Sequence, residues 1–218
     1  MNIPFSLEQL LDVFETYNTA IWPSQIAAYV FGIVALGLAL HESKLSGKII
    51  SGILAFFWIW IGVFYYSIYL SVINPAARIL GFFYVLQGVL FLLIGTIRGK
   101  LSFTLSRKPL PIAGVCFVLY AMVIYPLLGL AFGHSYPRGG VFGVAPCPTT
   151  IFTFGLLLWA TKPVPAYLLI IPLFWSFFGI IAAVNWRVYE DYGLVVAGVL
   201  GTVLSLIRNR NFRGVVSV

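Results

Sequence analysis

Seven apolar stretches alternate along the chain with short polar connections, over residues 21–40, 49–72, 79–97, 112–132, 150–160, 166–184 and 193–207. A helix that crosses a bilayer takes about 20 residues. A membrane β-strand instead alternates apolar and polar positions over roughly ten. Runs as continuous as 49–72 therefore predict helices, and the expected fold class is an all-α integral membrane bundle of seven helices. The fifth stretch is short. It reaches spanning length only if 141–148 also lies at membrane depth, as a re-entrant or half-span segment covered by protein.

The pattern differs ahead of the first stretch. Ser6-Leu7-Glu8-Gln9 has the form of a capping box. Leu7, Leu10, Leu11, Phe14 and Tyr17 follow at helical spacing, with Glu8, Asp12 and Glu15 on another face. This predicts a short amphipathic helix lying on the outer interface. Its acidic face is either solvated or a lid that draws cations over a cavity mouth. Trp22-Pro23 marks the turn into the membrane, proline suiting a first helical turn. The organisation is thus an interfacial arm (1–19), one seven-span domain (20–207) and a basic tail (208–218).

Composition agrees with a lipid setting: 61% of residues are hydrophobic and 9% charged, with mean hydropathy +1.02. Soluble domains average about a quarter charged, so a soluble enzyme, a nucleic-acid-binding domain and a disordered tail are excluded. Charge then orients the bundle. With seven spans, Lys44, Lys48, Arg98, Lys100, Arg107, Lys108, Lys162, Arg208, Arg210 and Arg213 share one side, ten of the 13 basic residues. Cytoplasmic loops hold the excess of Lys and Arg, which places the N-terminus outside and the C-terminus inside. Five of the six acidic residues (Glu8, Asp12, Glu15, Glu190, Asp191) then fall outside. The net charge of +7 is explained by topology and anionic headgroups, at about 1 kcal/mol per basic residue near the surface, without nucleic acid. The first twenty residues carry acids and no Lys or Arg, the opposite of a cleavable signal's n-region.

Within the spans, Gly81, Gly88 and Gly95, and Ala197, Gly201 and Ser205, recur at intervals that let helices approach closely. Trp58, Tyr65 and Tyr69 share a face of the aromatic second span, able either to pack between helices or to line a cavity for an apolar or cationic ligand. No Asp, Glu or Lys falls in a span core, which argues against a carboxylate proton relay, and the seventh span offers no lysine for a retinal Schiff base. Gln87 is the main mid-membrane polar residue, suited to an interhelical hydrogen bond.

The chemically unusual stretch is 133–150, where His134, Tyr136 and Arg138 precede Cys147 at a helix start. A thiol there, with the amides of Thr149 and Thr150, suits a soft-metal contact, a redox thiol or an anion pocket, while loop closure is the structural alternative. One Cys and one His thirteen positions apart do not make a metal site. Cys116 and Cys147 fall near opposite membrane faces, so no disulfide is expected. Enzymatic motifs are missing. His41-Glu42 is an acid–base pair that a headgroup-level loop explains equally well.

The run Ala145-Pro146-Cys147-Pro148-Thr149-Thr150-Ile151-Phe152-Thr153-Phe154-Gly155, with His134 and Tyr136-Pro137 before it, resembles the distinctive segment of an uncharacterised family of small bacterial seven-span membrane proteins. The resemblance covers most of the chain. It implies a bacterial inner-membrane location and supplies no substrate. The expectation is a protein that binds or moves a small solute or ion through an outward-facing cavity. Cys147, His134, Tyr136, Arg138, Thr149 and Thr150 would form its mouth, and Gln87 and Trp58 its depth. The competing classes are a membrane-embedded enzyme or redox protein using Cys147 or His134, and a sensor or assembly subunit. No cofactor, metal or nucleic acid is expected, the lipid bilayer is the expected partner, and homo-oligomerisation is not indicated.

Overall fold

Ser6 starts the first helix as its neighbours predict. Its hydroxyl accepts from the Gln9 amide at 3.3 Å, and the Gln9 side chain accepts from the Ser6 amide at 2.8 Å. This reciprocal cap begins α1 (Leu7–Ala20). A computed structural model of the chain describes residues 5–41, 43–105 and 109–216. Glu42 of the His41-Glu42 pair, and Arg107 and Lys108 of the basic set, lie outside the described residues. At Trp22-Pro23 the chain turns, and α2 (Ser24–Ala39) leaves at 83° to α1.

The remaining helices follow the apolar pattern. Helix α3 (Lys44–Trp60) continues through a π-helical stretch (Ile61–Tyr69) into a 3-10 turn (Leu70–Val72). Helix α4 (Ala77–Phe91) ends in a second π stretch (Leu92–Ile97). Helix α5 (Pro109–Leu119) runs through a third (Tyr120–Ile124) into α6 (Tyr125–Ala131). Then come α7 (Pro146–Leu158), α8 (Tyr167–Asn185), a 3-10 turn (Tyr189–Asp191) and α9 (Tyr192–Val216). Among the described residues no strand forms beyond one isolated antiparallel bridge, Phe103 to Ala160. The fold is all-α.

Five helical stretches are long and apolar enough to cross a membrane: Leu45–Val72, Ala77–Ile97, Pro111–Ala131, Tyr167–Asn185 and Tyr189–Phe212. The bent pair of α1 and α2 would make a sixth. Their outward faces carry large apolar side chains such as Val72, Phe82, Leu127 and Ile170. Water tolerates apolar surface of this extent poorly, whereas lipid does not penalise it.

Small residues set the helix contacts, as their spacing predicts. A Cβ on Gly81 would lie 2.7 Å from the Gly62 carbonyl oxygen, and one on Gly88 would lie 2.8 Å from that of Ala55. The backbones of α4 and the α3 rod therefore touch directly. Gly114 and Gly155 join α5 to α7 in the same way, each approaching the other's carbonyl. Gly201 of α9 faces the Phe154 ring.

Helix α7 lies at the centre. Every residue from Pro148 to Leu158 is buried, and α3, α5, α8 and α9 all pack on it. A helix apolar on all sides belongs in such a position. The segment ahead of it, 132–145, is non-helical, as expected for 141–148. Its backbone is satisfied by α1: Asn18 Nδ2 donates to the carbonyls of Pro137 (2.6 Å) and Gly139 (2.9 Å), and the Tyr17 hydroxyl donates to that of Val144 (2.9 Å). The apolar face of α1 thus packs on protein, with Leu10, Leu11, Val13, Tyr17 and Asn18 buried.

Close packing at Gly81 makes a clear expectation. Gly81→Ala destabilises the folded protein by about 1–3 kcal/mol, the usual effect of overpacking a tight contact. Gly37 has nothing within 4 Å of an added Cβ, so Gly37→Ala leaves stability unchanged or raises it by up to about 1 kcal/mol. Unfolding in mixed micelles compares the two.

Candidate functional site

Two carboxylates make the site, and both come from the turn before α9. Glu190 and Asp191 occupy the 3-10 turn Tyr189–Asp191 and are almost fully buried, at 2% and 3% exposure. The sequence places them in an outer loop; the structure folds that loop inward against α6 and α7. Asp191 accepts from the Tyr125 hydroxyl at 2.7 Å through Oδ1 and from the Cys147 thiol at 3.4 Å through Oδ2. His134 Nδ1 lies 3.2 Å from Glu190 Oε1, and the Tyr120 hydroxyl donates to the Glu190 carbonyl at 2.8 Å. Four separate segments, 120–125, 134, 147 and 190–191, meet here.

Beside this cluster is a cavity of about 250 Å³. Its walls are aromatic: Tyr65 and Tyr66 from the π stretch of α3, Tyr125, Trp175 and Phe178 from α8, and Trp186. A π turn holds an extra residue, and such turns recur at functional sites. Tyr65 and Tyr66 lie within one, and Tyr125 directly follows another. The rings brace one another, with Tyr66 edge-on to Trp175 at 5.5 Å and Trp175 stacked on Phe178 at 4.9 Å. Four polar atoms of the lining residues are buried without a hydrogen-bond partner: Tyr66 Oη, Arg138 Nε, Trp175 Nε1 and Glu190 Oε2.

Helix α1 covers the cavity, contributing Leu10, Leu11 and Phe14 to its lining. Phe14 stacks on Tyr65 at 5.1 Å, and Tyr17 meets Tyr65 and Tyr69 edge-on. Trp60 Nε1 donates to the Tyr17 hydroxyl at 3.0 Å. The acidic face of α1 closes on Arg138, whose Nη2 donates to Glu8 Oε2 at 2.9 Å and to Asp12 Oδ1 at 2.6 Å, with Glu15 Oε2 3.4 Å from Nε. The hydrogen bonds it donates to Glu8 and Asp12 hold the guanidinium above its ordinary pKa. The acidic side chains themselves are more than half exposed, and it is the apolar face of α1 that lines the cavity.

Of the residues singled out in the sequence, His134, Arg138 and Cys147 line the cavity. The others lie elsewhere. Tyr136 is exposed, its ring 6.4 Å from that of Trp22. Thr149 and Thr150 bond within α7: their hydroxyls donate to the carbonyls of Ala145 and Pro146. Thr149 also accepts from the Gly143 amide, and Thr150 pairs with the Tyr84 hydroxyl. An anion at this helix start would meet Asp191, a like charge. Gln87 forms the interhelical bond its position suggests, Nε2 donating to the Leu168 carbonyl at 3.0 Å. Trp58 stacks on Tyr84 at 4.4 Å and donates to Thr153, so it packs between helices. Cys116 and Cys147 are both free thiols. Among the described residues no three His, Cys, Asp or Glu side chains come together to hold a metal ion.

Glu190, Asp191 and Tyr125 were missed by sequence reasoning. The available signal was the grouping of five of the six acids on the side that carries His134, Arg138 and Cys147. A family's sequence profile matches residues 7–215, from the first turn of α1 to the last of α9. The chain belongs to DUF6064, a family of unknown function. The region shared with DUF6064 therefore includes α1, Arg138, the cavity and the acid pair. No curated protein matches the chain, and no solved structure matches it.

The Arg138 clamp makes a prediction. Arg138→Gln removes the cation on which three carboxylates converge, so amide hydrogen exchange over 10–17 accelerates while α4 is unchanged. Added salt moves the wild type the same way, because exposed pairs are screened. Unaltered exchange in α1 would show that its apolar face alone holds it in place.

Proposed function

We propose that the protein is a seven-span membrane protein of the bacterial inner membrane, N-terminus outside, that binds and carries a small solute or ion through the cavity beneath α1. The observation that carries the reading is that cavity: apolar walls with a few convergent polar groups, four of which have a buried atom without a hydrogen-bond partner, the usual character of a small-molecule site. The seven-span count takes α2 as the first span and α7, extended by 141–145, as the fifth. Supporting it are the non-helical segment ahead of α7 and the burial of α7 among α3, α5, α8 and α9. Orientation rests on the ten-to-three sorting of basic residues, and the bacterial membrane on the resemblance of the 145–155 run.

A solute pocket fits Cys147 better than thiol chemistry does. Reactive thiols sit in electropositive surroundings, and this one donates to a carboxylate. With α1 in place the cavity is only partly open, and a swing of α1 about the Trp22-Pro23 turn would widen it for exchange of a solute. Broken or bent helices near a binding site serve alternating access in other transporters.

Two measurements test this. A reporter fused to the C-terminus is active in the cytoplasm and inactive outside; the opposite result overturns the orientation. A membrane-impermeant maleimide added from outside labels Cys147 slowly in wild type and faster in Arg138→Gln, while Cys147→Ser retains ligand binding. Failure of any labelling at Cys147 would overturn an outward-opening cavity.

A further inference from the structure

We propose that the occupant of this cavity is a small organic ammonium ion, an inference that rests on the cavity being the binding site. The chain carries net charge +7, yet the wall of this space holds two carboxylates, Glu190 and Asp191, against one permanent cation, Arg138. That cation is itself engaged from outside by the exposed carboxylates of Glu8, Asp12 and Glu15. The potential at the cavity is therefore opposite in sign to that of the protein as a whole, and low-dielectric walls focus such a field.

The walls specify what kind of cation fits. Rings of Tyr65, Tyr66, Tyr125 and Trp175 line the space, and aromatic surfaces bind ammonium groups by cation–π attraction, most strongly where water is excluded. A hydrated inorganic ion gains little from such walls, and no three liganding side chains come together here. Of the four unpaired lining atoms, Arg138 Nε faces Glu15 at 3.4 Å and the Tyr66 hydroxyl can serve as donor or acceptor; the other two specify a ligand more closely. Glu190 Oε2 is an acceptor awaiting a donor or a positive charge, and Trp175 Nε1 is a donor awaiting an acceptor. An ammonium compound carrying a hydroxyl or carbonyl supplies both. A volume of about 250 Å³ falls below the usual range for drug-sized ligands, roughly 300 Å³ and upward, so the occupant is small.

The test uses the full chain purified in lipid nanodiscs, with tryptophan emission and maleimide labelling of Cys147 as readouts. Four probes are compared: choline, n-propylammonium, the uncharged carbon isostere of choline (3,3-dimethylbutan-1-ol), and propionate. Choline and propylammonium are expected to change the emission saturably and to slow labelling. The isostere should bind about tenfold more weakly or worse, the loss of about 1.4 kcal/mol that a desolvated cation–π contact readily exceeds, and propionate should not bind. Glu190→Gln and Asp191→Asn each weaken choline by about tenfold, and Trp175→Phe weakens it less. The comparison of choline with its isostere needs no substitution, so a variant that fails to fold leaves the test intact. Equal binding of the isostere, tighter binding of propionate, or no response to either cation overturns the ammonium assignment. The cavity itself as a site falls only if Cys147 is also unreachable from outside, which separates the two failures.

Discussion

A helix of thirteen residues is about 20 Å long, against a hydrocarbon core of roughly 30 Å. Helix α7 has this length and is buried on every side, so for it to serve as the proposed fifth span the shortfall has to be filled by irregular backbone at depth. Each unpaired amide or carbonyl there costs several kcal/mol. Much of the rest of the fold can be read as the answer to that constraint. At the C-terminal end of α7, the extended residues 101–105 pair with its exit: the Thr104 amide donates to the Trp159 carbonyl and the Thr161 amide to that of Ser102. Arg208 donates to the Leu157 carbonyl, and Asn209 bonds both backbone groups of Val164.

At the N-terminal end the same need is met by α1. Tyr17 and Asn18 supply three donors to the carbonyls of 137–144, which makes the helix a structural part of the fold as well as a cover. The irregular segment does not fill all the space above α7, and the remainder is the cavity. Its polar lining follows from the same geometry. The turn before α9 packs where helices diverge, bringing two carboxylates inward, and Tyr125, His134 and Cys147 are the donors within reach. Site and scaffold thus share one cause.

Much of this was legible in the chain. The apolar runs located the helices to within a few residues, because in lipid the length of a run directly sets the length of a span. Ser6 and Gln9 announced the first cap, and Gly81 and Gly88 announced a close helix contact. The irregular stretch before α7 could be read from its glycines and prolines. What could not be read was the side each polar residue faces. Glu190 and Asp191 look like loop acids because nothing local marks their burial; it results from α6 and α8 approaching the turn. Thr149, Thr150 and Trp58 look available in the sequence and are taken up by bonds to Ala145, Pro146 and Thr153. Arg138 lines the cavity, but its three partners lie about 120 to 130 positions away and only the fold joins them.

The α3 rod has a consequence of its own. Its apolar stretch is 28 residues long, or about 40 Å at helical rise, well beyond the hydrocarbon thickness. A helix that overreaches its bilayer tilts or emerges from it. Tyr65 and Tyr69, the platform on which Tyr17 of α1 rests, belong to the last turns of this rod. The docking surface of α1 is therefore carried by this rod, and any tilt of the rod moves the seat of α1 with it.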